Sequence, residues 1–139
     1  MNYALKDSIA YQLIKSSNSV IQSLNKKLST YDIAIEQRAT LEIIKFEPNV
    51  NQITIAKLLG KDKATISRSL SSLEKKGLIQ KEENAQHDKR SNRFKLTQKG
   101  EEILENTLPE VTVYRESLNA QLTQEEHDMF FHILHKLKM

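Results

Sequence analysis

The chain has 139 residues, 21 of them basic and 18 acidic, and no cysteine. That length suits one domain with a modest core, and the lack of cysteine excludes disulfides, thiolate metal sites and thiol redox sensing. No apolar run approaches the ~20 residues of a membrane span, and the opening MNYALKDSIAYQL lacks the layout of a signal peptide, so a cytoplasmic chain with no membrane partner is expected.

Leu5, Ile9, Leu13, Ile14, Val20, Ile21, Leu24 and Leu28 recur at three- and four-residue spacing, which predicts one amphipathic helix over about 4–28. A second helix runs from about Ile35 to Phe46 and stops at Glu47-Pro48. Asn51 is placed to cap a third helix carrying Ile53, Ile55, Ala56, Leu58 and Leu59. Asp62 is placed to cap a fourth, over about Lys63 to Lys76, that buries Ile66, Leu70 and Leu73. Gly77 follows where a left-handed C-terminal cap belongs. Leu78–Glu82 and Arg93–Leu96 alternate as short strands around a long polar loop, Glu83–Asn92. Thr97 caps a fifth helix, with Glu101 and Glu102 at its positive end and Pro109 expected to bend or interrupt it. Thr123-Gln124-Glu125-Glu126 is a capping box that opens a last helix with Met129, Phe130, Ile133, Leu134 and Leu137 inward.

Short helix, glycine turn, polar-faced helix and two strands are the layout of a winged helix-turn-helix, a device that places one helix in a DNA groove. The charge distribution fits that purpose. Residues 1–60 hold 7 basic and 5 acidic side chains, residues 61–99 hold 11 and 5, and residues 100–139 hold 3 and 8. Basic charge concentrated on the reading block is an electrostatic footprint for phosphate, although a solvated lysine-rich surface has the same composition. The fold class expected is mainly α with a small two- or three-stranded β-wing. The expected organisation is one domain over 1–139, with a DNA-binding lobe at 32–97 and dimerisation helices at 1–30 and 98–139.

The motifs resemble the multiple-antibiotic-resistance-regulator (MarR) family of bacterial transcription factors along nearly the full length. The matching segments are Ile55-Ala56-Lys57-Leu58-Leu59-Gly60, Thr65-Ile66-Ser67-Arg68, Leu73-Glu74-Lys75-Lys76-Gly77-Leu78-Ile79, Asp88-Lys89-Arg90 and Leu96-Thr97-Gln98-Lys99-Gly100. The Asp-x-Arg ahead of Leu-Thr-x-x-Gly is the most specific. Two positions depart from the family pattern: Ala34 stands where a polar helix cap is usual, with Asp32 as the alternative cap, and Lys81 replaces an arginine on the first wing strand.

The resemblance implies a sequence-specific transcriptional regulator of double-stranded DNA, a repressor in preference to an activator. It implies a homodimer formed by the terminal helices, and hence a pseudo-palindromic operator. In these residues, Lys63, Ala64, Thr65, Ser67, Arg68 and Ser71 form the small and basic face of the fourth helix that enters the major groove, with Arg68 able to fork onto guanine. Lys81, Lys89, Arg90 and Arg93 belong to the wing, where Arg90 corresponds to the arginine that enters the minor groove and Asp88 organises the wing. Asn51, Gln52 and Thr54 cap the third helix and touch phosphate. A broadly binding nucleoid-architectural protein is the alternative reading.

Family members often take a small anionic or aromatic effector, for which Tyr11, Tyr31, Arg38, Phe46 and Tyr114 are the candidates; each is also an ordinary packing residue. His127, His132 and His135 lie near Asp128 but not where zinc-sensing ligands are expected, so neither a metal nor a cofactor is expected. His87 reads as a solvated loop residue. No glycine-flanked serine elbow, phosphate-cradling glycine loop or cleft carboxylate pair is present, so an enzyme is not expected.

Overall fold

The structure is a computed structural model that describes residues 4–82 and 93–137. Two compact units follow one another along the chain, Met1–Thr107 and Leu108–Met139. The described residues form six α-helices and one two-stranded antiparallel sheet.

In the first unit a 3-10 turn, Ala4–Asp7, precedes α1 (Ile9–Leu28), so the single helix expected over 4–28 is split at Ser8. The Ser8 hydroxyl accepts the Tyr11 N–H at 3.2 Å, and that cap starts the true helix. The next helix, α2 (Ile35–Phe46), begins at the expected residue, yet Asp32 does not cap it. Asp32 takes a left-handed φ of 53°, and its carbonyl accepts the Lys76 ammonium at 2.7 Å. Two amides replace the missing polar cap: Gln37 Oε1 accepts the Ala34 N–H at 3.2 Å, and Asn25 Oδ1, from α1, accepts the Ile35 N–H at 2.7 Å.

The helix-turn-helix follows as α3 (Gln52–Leu59) and α4 (Lys63–Lys75), packed on each other. Gly60 turns between them at φ 63° and Gly77 closes α4 at φ 74°, conformations that a Cβ disfavours. Leu28, Leu41, Ile55 and Leu73 are fully buried, with Ile66, Leu70, Leu78 and Ile79 beside them in the core. Strands β1 (Ile79–Lys81) and β2 (Phe94–Leu96) pair Ile79 with Leu96, Gln80 with Lys95 and Lys81 with Phe94. An isolated bridge from Arg93 to Asn51 carries this ladder to the start of α3.

The Leu-Thr-x-x-Gly motif joins the wing to α5 (Gln98–Ala120). Thr97 donates its N–H to the Leu78 carbonyl at 3.0 Å, and its hydroxyl accepts the Gly100 N–H at 3.1 Å as a helix cap. Gly100 is needed because a Cβ there would collide with the Leu78 carbonyl oxygen. The helix runs unbroken through Pro109, so the expected interruption does not occur. The proline removes one helical donor, and hydrogen bonds on either side of it keep the rest of the helix intact.

In the second unit, Thr123 opens α6 (Gln124–Lys136) with both arms of the expected capping box: its hydroxyl accepts the Glu126 N–H at 3.1 Å and its own N–H reaches Glu126 Oε1 at 2.9 Å. The expected inward face of α6 is uncovered in the single chain: Met129, Phe130, Ile133, Leu134 and Leu137 are all exposed. No helix among the described residues is long and apolar enough to cross a membrane.

Candidate nucleic-acid interface

α4 turns Ile66, Leu70 and Leu73 into the core and leaves the opposite side to solvent. Lys63, Ala64, Ser67, Arg68 and Ser71 are exposed there and Thr65 is half-buried, so the six residues expected on one face do share it. Ser67, Arg68 and Ser71 line a shallow groove together with Ser72 and Lys75. Lys75 was not among the expected contacts, although its seven-residue spacing from Arg68 places it on the same stripe.

The start of α4 orients this face. Asp62 Oδ1 accepts the Thr65 N–H at 2.7 Å, and the Thr65 hydroxyl accepts Arg68 Nη2 at 3.3 Å. The hydrogen bonds from Thr65, backbone first and hydroxyl second, hold the Asp62 carboxyl below its ordinary range, with a smaller contribution from the Arg68 charge. Arg68 is thus steered along the helix while its guanidinium stays exposed, a geometry suited to a bidentate contact with a base edge.

Asn51, Gln52 and Thr54 lie at the start of α3. Asn51 Oδ1 accepts both the N–H and the hydroxyl of Thr54, at 2.9 and 3.0 Å. Gln52 Nε2 donates to the Lys63 carbonyl at 3.2 Å, which ties the start of α3 to the start of α4. Arg93 reaches Asn49 Oδ1 at 3.3 Å, and its carbonyl accepts the Glu82 N–H at 3.0 Å. Asn49 adopts φ 57° and was missed in the sequence; the residue after a proline gave no sign of an arginine partner. Lys81 is exposed on β1. Asp88, Lys89 and Arg90, with His87, lie outside the described residues.

Of the five candidates for an effector site, Tyr31 and Arg38 both bond to residues 104–107 of α5. Arg38 is buried and hydrogen-bonded to Thr107 and to the Leu104 carbonyl, while Phe46 is 68% exposed beside Lys45. Tyr11 lies under Lys15, and the Tyr31 hydroxyl donates to the Asn106 carbonyl at 3.5 Å. Tyr114 belongs to the second unit. Among the described residues, no group of three or more histidine or acidic side chains could hold a metal ion.

The profile of the MarR family matches residues 31–91, which take in α2, the helix-turn-helix and β1. The chain is 28% identical over 106 residues to the transcriptional regulator HosA of Escherichia coli O127:H6, covering 76% of this chain and 78% of HosA. It is 29% identical over 127 residues to an uncharacterised HTH-type transcriptional regulator of Bacillus cereus, covering 91% and 84%. MepR of Staphylococcus aureus, solved as a complex with DNA, superposes with a TM-score of 0.84 at 29% identity over 95% of both chains. The chain is similar to the MarR family. It is a winged-helix, DNA-binding transcriptional regulator and not an enzyme, as its relatives are. The coumaroyl-CoA-binding repressor CouR has the same fold, with a TM-score of 0.82 at 20% identity.

Proposed function

We propose that this chain is a homodimeric repressor of the MarR family that reads a pseudo-palindromic operator with α4 in the major groove. The observation that carries the reading is the exposed groove of Ser67, Arg68, Ser71, Ser72 and Lys75, set on a helix whose other side is locked in the core. Arg68 and Thr65 read base edges, Lys63 and Lys75 meet phosphate, and Asn51, Gln52 and Thr54 hold the helix entry against the backbone. The wing lies alongside, with Lys81 and Arg93 near the duplex and Arg90 in the minor groove. The dimer is supported by the terminal helices: α6 leaves Met129, Phe130, Ile133 and Leu134 exposed, and Leu5, Ile9 and Leu13 are exposed at the N-terminal end. Apolar side chains in that number are covered in a second copy, and two-fold pairing then sets two reading heads on two half-sites. Release by a small anionic or aromatic effector is the weaker part of the resemblance, because Arg38 is already committed inside the lobe and Phe46 stands open.

The test is selection of bound fragments from the source genome, followed by footprinting of the enriched sites. The expected result is a short inverted repeat overlapping a promoter, bound at least about a thousandfold more tightly than random duplex at the same salt. Uniform enrichment without a repeat would favour the nucleoid-architectural reading instead. Derepression of the adjacent gene on deletion of the regulator separates a repressor from an activator.

A further inference from the structure

Of the residues on the reading face of α4, Thr65 alone carries both a hydroxyl and a methyl group. Either can meet a base edge, the hydroxyl at an oxygen or nitrogen and the methyl at the methyl of thymine. The hydrogen bonds around the side chain decide between them. Asp62 Oδ1 accepts the Thr65 N–H at 2.7 Å, and the Thr65 hydroxyl adds a second bond to the same carboxyl. An ionised carboxylate only accepts, so the hydroxyl donates its one proton there. On its other side the same oxygen accepts Arg68 Nη2 at 3.3 Å.

A hydroxyl whose proton is already engaged has nothing to donate to thymine O4, guanine O6 or a ring nitrogen. The two bonds also fix the staggered torsion of Thr65, and the methyl on the same carbon is fixed with it. The methyl is then the part of Thr65 left to read a base. Arg68, one turn on, keeps its guanidinium exposed, with N–H groups beyond the one bonded to Thr65. Its Nη2 lies 3.3 Å from the Thr65 oxygen. The rise of one base-pair step is about 3.4 Å, so the two side chains reach neighbouring base pairs.

We infer that Thr65 is a specificity-determining residue: its hydroxyl is taken up in orienting Arg68, and its methyl reads the methyl of a thymine in the base pair next to the guanine that Arg68 reads. The inference rests on the reading of α4 in the major groove proposed above. Each half-site then carries thymine and guanine in consecutive base pairs. The thymine is recognised by its methyl group and not by its hydrogen-bonding pattern.

The experiment uses full-length protein and the operator selected from the genome. Arg68→Ala identifies the guanine as the base pair at which preference relaxes. Each thymine of the half-site is then replaced in turn by uracil, which removes the methyl and keeps every hydrogen-bonding group. Wild type should lose about fourfold in affinity at the thymine beside that guanine, the worth of one buried methyl group. Thr65→Ser keeps the hydroxyl and lacks the methyl, so uracil there should change its affinity by less than about 1.5-fold. Thr65→Val keeps a methyl and lacks the hydroxyl, so it should retain the uracil loss while its preference for the guanine falls by about threefold. Wild type indifferent to uracil at that thymine would overturn the inference, and this measurement decides it even where a variant fails to fold. Thr65→Ser as sensitive as wild type would overturn it too and assign the methyl contact to Ala64. So would Thr65→Val with an undiminished preference for the guanine. Wild type that binds the operator no better than random duplex, or Arg68→Ala that relaxes no base pair, would instead overturn the reading of α4 beneath it.

Discussion

α4 and α6 are both 13 residues long and both begin at a side-chain cap, Asp62 in one and Thr123 in the other. They differ in what the chain itself covers. α4 buries Ile66, Leu70 and Leu73 within its own unit and shows solvent a face of serine, threonine, lysine and arginine. α6 buries no residue and shows solvent Met129, Phe130, Phe131 and Ile133. Two helices with the same local signals therefore turn different faces to solvent: α4 a basic and hydroxyl-bearing face, α6 an apolar one. The cap decides where a helix starts, and the opposite face decides what the helix is for.

The largest expected effect is on α4. Leu70→Ala should lower folding stability by about 3 kcal/mol, measured by urea unfolding, because it opens a cavity under α4. Ile133→Glu on α6 should scarcely change the folding of the isolated chain but should weaken self-association by about a hundredfold in sedimentation, as expected for a central apolar contact. A large loss of folding stability with unchanged association would erase the contrast between the two helices. Arg68→Ala should cost roughly 1–3 kcal/mol of operator affinity and relax preference at one base pair, read by competition with single-base operator variants. Uniform weakening across all variants would assign Arg68 to a phosphate. The smallest effect concerns the α4 cap. The folded-state pKa of Asp62 is depressed, so its ionised form adds stability above the ordinary carboxylate range and loses it as pH falls through that range. Asp62→Ala should therefore lower the melting temperature slightly at neutral pH, with the difference from wild type shrinking toward acid pH; an equal difference at all pH values would assign the effect to helix propensity.

Most of the fold was legible because its boundaries are set by local chemistry. Asn51, Asp62, Thr97 and Thr123 each cap the helix that follows, and Gly77 takes the left-handed turn after α4. The misreadings arise where a distant group does the work of a local one. The start of α2 has a non-polar Ala34 and is satisfied from Asn25, a partner that sequence spacing does not reveal. Pro109 signalled a bend or an interruption, and the helix is not interrupted, because a single lost hydrogen bond is a small fraction of the ladder in a helix of 23 residues. In the interface, the face of α4 followed from periodicity, whereas the link from Arg93 to Asn49 depends on how the wing folds back and has no periodic signature. Arg38 reads in the sequence both as an effector candidate and as a packing residue, and its burial with Thr107 depends on a contact 69 positions along the chain.

The amide of Asn25 has a consequence for how this molecule folds and melts. α2 meets its Ala34 N–H from its own Gln37, but its Ile35 N–H only from Asn25, so the first turn is complete only when α1 has docked. Helix nucleation here is a tertiary event, and the start of α2 and the end of α1 should open together in hydrogen exchange instead of fraying one after the other. The Lys76 ammonium, bound to the Asp32 carbonyl at the same junction, brings the end of α4 into that unit as well. The end of α1, the start of α2 and the end of α4 thus share one junction, and they should lose their protection from exchange together.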